Sequence, residues 1–382
     1  MTGYQSGIDR LRAQGYAPLL GQRIGLLTNP AAVDAHYIST YQHLVAAPGV
    51  SIAALFGPEH GFSGAVAAGE GVADGRDART GAPVYSLYGA NLRPTPAMLT
   101  GLDRLVCDLP DIGVRYYTYL WTLFYLLEAA GQAGVPVLLL DRANPLGRAV
   151  RGPLIEPALY SIVGAAPVPI VHGLTIGELA TLLNARWNPH PADLTVLPCA
   201  GYAPAAPPPD LPWAAPSPNM PHPLTARHYP GACLIEGTNL SEGRGTALPF
   251  EITGAPWIDG EALAAALNPL GLPGVRFRPI HFQPSASKWA GEPCSGVQAH
   301  LTDAAAYDPL RAWLTVIVTA RQMYPAQFAW VVEQMIHFDR LIGSAGVRGQ
   351  IEAGEPVAAI TAGWGAVEAA FERERAAYLL YG

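Results

Sequence analysis

The chain has 382 residues, half of them hydrophobic and 14% charged, which supports a sizeable buried core and exceeds the usual size of a single one, so two domains are expected. A formal charge of −7 with no basic stripe excludes a nucleic-acid partner held through phosphates. The longest apolar stretch, Tyr116 to Ala130, is too short to span a bilayer and carries Thr118, Thr122 and Glu128, so no membrane span is expected.

The first residues, Met1 to Gly7, show neither a basic region nor an apolar one of the export type, which as written points to the cytoplasm. Gln22–Leu27 has the apolar, partly β-branched character of a buried strand, Thr40–Ala47 that of a helix, and Val50–Phe56 that of a second strand. The connection from Gly57 to Pro96 is rich in glycine and carries Glu70, Asp74, Arg76, Asp77 and Arg79. Loops of that length favour a lid or rim. Arg104–Asp108 and Val135–Leu140 follow as strands, with the Tyr116–Ala130 segment between them as a core helix apolar on nearly all sides. This is the β-α-β alternation of a parallel sheet covered by helices.

From Ala203 to Pro223 the chain is dense in proline, which keeps it out of a central sheet and makes it a semi-rigid connector. The division is therefore expected near it, as 1–212 and 213–382. Beyond it, Val275–Phe282 and Ser295–Leu301 are expected as strands, and Asp308–Met323 and Ala359–Tyr381 as helices, giving a smaller α+β domain. Cys107, Cys199, Cys233 and Cys294 contain no C-x-x-C pair and are expected as small buried apolar residues.

What each strand of the first half runs into carries more information than the strands. The first ends in Thr28-Asn29-Pro30, the second in Gly57-Pro58-Glu59-His60-Gly61, the third in Asp108 and Asp111, and the fourth in Asp141-Arg142-Ala143-Asn144. Parallel strands deliver these polar termini to one edge, where ligand crevices of open α/β sheets lie. Capping explains some of them; a shared site explains all. The glycine fingerprints of dinucleotide and triphosphate sites are missing after the first strand, as is the serine-nucleophile elbow, so no cofactor is assigned. His60, Asp108, Asp141 and His172 keep a metal-dependent hydrolase as an alternative, although their spacing matches no compact metal motif and no metal is assigned.

Arg115-Tyr116-Tyr117 suits a sugar ring bearing an anionic group, through stacking, hydroxyl hydrogen bonds and a bidentate charge contact. The alternative is that the tyrosines are core residues at a helix start. Around Arg244, the run Glu236 to Thr246 places glycines that permit backbone N–H groups and a guanidinium to meet an anion, against the alternative of a solvated loop.

Several blocks together resemble the exo-β-N-acetylmuramidases of the NamZ type, formerly a domain of unknown function. They are Gly25–Pro30, Leu55–Phe62, Asp108–Tyr119, Asp141–Gly147, Pro216–Pro221, Glu236–Thr246 and Phe338–Gly343. The resemblance covers almost the whole chain. It implies a Rossmann-like parallel-sheet domain followed by a smaller α+β domain, with a cleft between them. It also implies release of N-acetylmuramic acid from the non-reducing end of peptidoglycan-derived saccharides in which it is joined to N-acetylglucosamine. Relatives are often exported, and this sequence departs from them in lacking an export signal. A non-catalytic muropeptide-binding protein is the second alternative.

The resemblance makes Glu59 the catalytic acid. Glycoside hydrolysis needs a proton donor at the leaving oxygen and, on the opposite face, a second carboxylate or the substrate's own 2-acetamido group. His60 is expected to orient Glu59, Asp108 or Asp111 to be the second acid, and Arg115 or Arg244 to bind the lactyl carboxylate. Asn29, Tyr116, Tyr117, Asn144, Asn219, Glu236, Asn239 and Glu242 complete the candidate substrate-binding set.

Overall fold

The computed structural model describes residues 3–64, 66, 69–70, 74–205, 211–333 and 335–382. Among them the strands run in chain order as β1 (Arg23–Thr28), β2 (Ser51–Gly57), β3 (Gly75–Arg76), β4 (Pro83–Ser86), β5 (Arg104–Asp108), β6 (Val137–Leu140), β7 (Arg151–Leu154), β8 (Pro169–Val171), β9 (Leu194–Leu197), β10 (Ile252–Ala255), β11 (Val275–Phe282) and β12 (Cys294–Leu301). The chain forms two compact units, residues 1–149, 172–222 and 372–382 in one and residues 150–171 and 223–371 in the other.

The first unit is an α/β layer structure on a seven-stranded sheet of order β3-β4-β2-β1-β5-β6-β9. Every neighbouring pair is parallel except β3 and β4. β6 is buried along its whole length and β1 along all but its first residue, as expected of strands covered on both faces. Ile8, Leu11, Leu26, Leu44, Leu55, Val106 and Leu138 form one apolar cluster. The core helix runs over Tyr119–Ala133 and stops at Gly134, whose φ of 68° reverses the backbone. From β1 the chain passes to β2 on one side and later crosses to β5 on the other, so the topological switch point lies between β1 and β5, with Thr28 and Asp108 in register at its rim.

The connection after β2 differs from the lid or rim expected of it. Pro83–Ser86 pairs in parallel with Leu55–Gly57 and Gly75–Arg76 pairs antiparallel to β4, so this segment extends the sheet edge. Parts of it (65, 67–68 and 71–73) lie outside the described residues. Such short edge strands carry too few residues for a periodicity to register.

A buried carboxyl fixes the far side of this unit. Asp141, wholly buried after β6, accepts hydrogen bonds from the Thr175 and Tyr381 hydroxyls at 2.7 and 2.6 Å and from the backbone N–H of Gly177 and Arg142 at 2.8 and 2.9 Å. Burial nevertheless raises its pKa to about 6 against those donors. A folded-state value above the unfolded one means the acid form is the one the fold prefers. Its contribution is therefore full below about pH 4 and is lost as pH rises through about 6, a change on the order of 3 kcal/mol. Denaturant titrations between pH 4 and 7 are expected to show the parent losing stability as pH rises and Asp141→Asn losing much less. Identical pH dependence in the two would show that Asp141 does not titrate in this range.

The second unit is an α+β structure. β10, β12 and β11 form an antiparallel sheet in that order, β7 and β8 pair separately, and helices Pro223–Ala232, Gly260–Leu267 and Pro309–Met323 belong to the same unit. Residues 150–171 join it although they precede the proline-rich connector. Glu368 accepts from the Gly152 N–H at 2.8 Å, and Gly343 and Ser344 bond Glu156 at 2.9 and 2.5 Å. The sequence division at 212/213 takes the chain as two consecutive blocks, whereas these contacts are between residues about two hundred positions apart. The helix expected over Ala359–Tyr381 is broken into Val357–Ile360 and Trp364–Arg375, with Gly363, a poor helix former, in the gap. All four cysteines are free and buried. Among the described residues no helix is long and apolar enough to cross a membrane.

Candidate active site at the carboxyl edge of the sheet

The Gly57–Gly61 run forms a tight turn at the end of β2. A Cβ on Gly57 would lie 2.4 Å from the backbone nitrogen of Phe62, so only glycine lets the chain double back here. His60 and Gly61 both take left-handed conformations, φ 72° and 74°. For glycine this costs little; for a histidine it is strained backbone that the surroundings must hold. They do: Gly61 N–H donates to the Pro58 carbonyl at 3.0 Å, and His60 Nδ1 bonds the Val66 carbonyl at 2.7 Å. A carbonyl only accepts, so His60 Nδ1 carries a proton.

Glu59 stands between these fixed points and is half-buried. Its Oε2 accepts from the Thr118 hydroxyl at 2.7 Å and its Oε1 from the Gly69 N–H at 2.9 Å, which sets the carboxyl plane. Thr118 lies at the start of the core helix and was not foreseen as part of the site. Tyr119 packs its ring edge-on to His60, with centroids 6.5 Å apart, and donates its hydroxyl to the Pro216 carbonyl at 2.6 Å. Asn29 donates to the Tyr119 hydroxyl at 2.9 Å and to the same carbonyl at 3.3 Å. Tyr117 packs on Tyr119 with centroids 4.8 Å apart and bonds the Ser217 side chain. Burial first, and the Glu59 charge with it, pushes both phenols up, so both remain neutral donors. Glu59, His60, Asn29 and Tyr117 thus belong to one connected group.

Asp108 has a different position. It is wholly buried, its Oδ1 meets Arg142 Nε at 2.5 Å, and its Oδ2 meets Arg142 Nη2 at 2.8 Å and accepts from the Thr40 hydroxyl. This ion pair ties the end of β5 to the end of its neighbour β6. Asp111 accepts from the Gly113 N–H at 2.9 Å through Oδ2, with His172 Nε2 3.4 Å away. The Leu174 N–H donates to His172 Nδ1, so Nε2 carries the proton that faces the carboxylate. Asp111 Oδ1 is buried with no hydrogen-bond partner among the described residues. Asn144 bridges the Leu146 N–H and the Leu174 carbonyl and lies where Gly113, at φ 81°, leaves no room for a Cβ.

Arg115 is wholly buried in this unit, and burial lowers its pKa to about 10. Tyr116 is buried beside it and Asn219 is half-buried in the chain after Pro216.

The second unit holds its own charge cluster. Arg244 donates to Glu236 Oε1 at 3.0 and 2.6 Å and lies 3.4 Å from Glu242, which Lys288 meets at 3.0 Å and Ser287 at 3.0 Å. Burial opposes the charge of Glu236, but the Arg244 guanidinium and the His337 and Lys288 side chains hold it down to about 2. Burial likewise opposes Arg244, whose pKa its two carboxylates raise. Asn239 spans the Gln327 carbonyl and the Ala329 N–H at 2.8 and 3.0 Å, a loop-bracing position. Lys288 and His337 were not anticipated; they lie about fifty and a hundred residues from Glu236, and no local motif joins them. Among the described residues no group of three His, Cys, Asp or Glu side chains is arranged to hold a metal ion.

Fold and site together define an α/β protein with a Rossmann-like sheet that presents a braced carboxyl, a strained histidine and paired tyrosines at its carboxyl edge. Family profiles place it further: residues 24–224 match the N-terminal and residues 227–381 the C-terminal part of the exo-β-N-acetylmuramidase NamZ family, and the chain belongs to that family. It is 43% identical over 380 residues to the peptidoglycan β-N-acetylmuramidase NamZ of Bacillus subtilis strain 168, covering 99% of this chain and 91% of that protein. Crystal structures of two DUF1343 family proteins from Bacteroides fragilis NCTC 9343 have the same fold. One superposes with a TM-score of 0.91 at 35% identity over 100% of both chains, the other at 0.77 and 29% over 99% of both.

Proposed function

We propose that this chain is an exo-acting glycoside hydrolase that releases N-acetylmuramic acid from the non-reducing end of peptidoglycan fragments, with Glu59 as the general acid. The observation that carries the reading is the placement of Glu59. It is a half-buried carboxyl at the end of a central strand, oriented by one donor on each oxygen and flanked by a strained histidine. The peptidoglycan specificity of the 43% identical relative supports the substrate class.

In this mechanism the Glu59 carboxyl gives its proton to the glycosidic oxygen as the bond to the anomeric carbon lengthens, and the oxocarbenium-like charge is met on the opposite face. Thr118 and Gly69 hold the carboxyl plane. Tyr117 and Tyr119 supply neutral ring faces. The burial of Asp108 under Arg142 and Thr40 makes it a positioning residue, so the opposite face falls to Asp111 or to the substrate's 2-acetamido group. Substrates with mono-, di- and trifluoroacetyl groups on the amine separate the two, since a steep fall in rate along the series marks attack by the acetamido oxygen and a flat series marks Asp111.

The assignment is tested with a chromogenic N-acetylmuramide and the corresponding glucosaminide as control. Hydrolysis of the first in preference to the second is expected; turnover of neither sinks the reading.

A further inference from the structure

One carboxylate of the first unit has a histidine built behind it. Asp111 lines a pocket at the switch point between β1 and β5, and Pro216 is another of the pocket's walls. The Pro216 carbonyl is the atom held by Tyr119 and Asn29, so one residue joins Asp111 to the Glu59 group. His172 is wholly buried and lies outside that lining. It faces Asp111 Oδ2 through Nε2 at 3.4 Å.

The histidine is fixed from several directions. Its N–H donates to the Gly113 carbonyl at 3.4 Å, and the His172 and Gly173 carbonyls accept from Arg375 Nη1 at 2.8 and 2.6 Å. The ring is set by the Leu174 N–H, which donates to Nδ1 at 3.2 Å and leaves the proton of the neutral ring on Nε2. Gly113 closes the circuit, giving its N–H to Asp111 Oδ2 at 2.9 Å while its carbonyl holds His172. A Cβ on Gly113 would lie 2.3 Å from Asn144 Oδ1, so the peptide that joins the two side chains cannot carry one.

Two polar atoms are left over. Among the described residues, His172 Nε2 is a buried donor with no aligned acceptor and Asp111 Oδ1 a buried acceptor with no donor. Buried polar atoms are nearly always paired and are costly when they are not, so two on adjacent side chains call for a role beyond the fold. A charge-assisted N–H···O bond is about 2.7–2.9 Å long, so a shift of roughly half an ångström completes the bond from His172 to Oδ2. With Gly113 and His172 both on Oδ2, Oδ1 is the oxygen left to meet a substrate group.

The geometry points to His172 as a positioning residue for Asp111: its Nε2–H fixes Oδ2 and leaves Oδ1 to act on the face of the sugar opposite Glu59. The pairing stands on the contacts alone. Its part in hydrolysis rests on the function proposed above, with Asp111 as the group on that face.

Steady-state hydrolysis of the disaccharide of N-acetylmuramic acid and N-acetylglucosamine by full-chain variants tests it. His172→Asn keeps an acceptor for the Leu174 N–H but is too short to reach Asp111, and should lower kcat about 10- to 100-fold with KM within about three-fold. His172→Gln can place an amide N–H where Nε2–H stands and should stay within about five-fold of the parent. Chemical denaturation of both variants guards against a folding defect. In an Asp111→Asn background, His172→Asn should cost less than about two-fold more, because residues that act as a unit do not add. A readout independent of turnover and of any His172 variant is the NMR resonance of the His172 Nε2–H proton, expected to move upfield in Asp111→Asn. The inference is overturned by a folded His172→Asn with the parental kcat, by an equal loss in the Asp111→Asn background, or by a resonance indifferent to Asp111→Asn. A parent that turns over no disaccharide overturns the functional proposal instead, and the resonance then still decides the pairing.

Discussion

Glu59→Gln is expected to lower kcat on a natural muramic acid disaccharide by about 10²- to 10⁴-fold, the usual contribution of a positioned general acid, with little change in KM. The amide keeps the shape of the carboxyl. Its oxygen can still accept from the Gly69 N–H, and the Thr118 hydroxyl, donor to Glu59 in the parent, can rotate to accept from the new NH2 group. The fold therefore stays in place and the loss reports chemistry. A second readout separates proton donation from any other role. An activated phenol departs with little help from an acid, so the variant should lose much less activity on a nitrophenyl substrate than on the disaccharide. Equal losses on both would assign Glu59 to the sugar-bearing side of the reaction, and undiminished turnover would remove it from the mechanism.

Asp108→Ala is expected to cost stability, on the order of 3–5 kcal/mol, as when one partner is taken from a buried ion pair. The deletion leaves the Arg142 guanidinium charged at a site with only 13% side-chain exposure and leaves the Thr40 hydroxyl without its acceptor. Chemical denaturation measures this directly. Asp108→Asn keeps one oxygen, which can still accept from Arg142 Nη2 and Thr40 while its NH2 faces Arg142 Nε, and should fall between parent and alanine variant. Replacing both Asp108 and Arg142 by apolar residues should recover much of the loss, because no charge is then stranded. Activity per folded molecule should survive in the asparagine variant. A fully stable Asp108→Asn without activity would return Asp108 to the chemistry and displace the positioning role.

That outcome bears on what was legible in the sequence. The strand pattern was plain where the strands are central or long: β5 lies on the apolar run Arg104–Asp108, and the eight-residue edge strand β11 on the alternating Val275–Phe282. Glu59 and His60 were placed at a strand end by the same reasoning. What escaped depends on contacts between distant positions. β3 and β4 are short strands at the sheet edge, and the pairing of β4 with β2 and of β3 with β4 supplies the order that their residues do not. Residues 150–171 belong with the second unit through bonds to Gly343, Ser344 and Glu368. In the sequence Thr118 is only one of the polar residues in an apolar stretch, yet it braces Glu59. The Asp108–Arg142 pair, by contrast, was readable in principle. Adjacent parallel strands ending in Asp and in Asp-Arg bring opposite charges side by side, and a buried guanidinium finds the nearest carboxylate.

The return of residues 372–382 to the sheet unit sets the order in which this chain can be finished during synthesis. Tyr381 completes the hydrogen bonds of Asp141, and the Leu380 N–H meets Glu178, a wholly buried carboxylate after β8. Until residues 372–382 have left the ribosome, the nascent sheet holds two interior acids, already bonded to Thr175 and, for Glu178, to Arg148, that each still lack a C-terminal donor. The first unit to be made is thus the last to close.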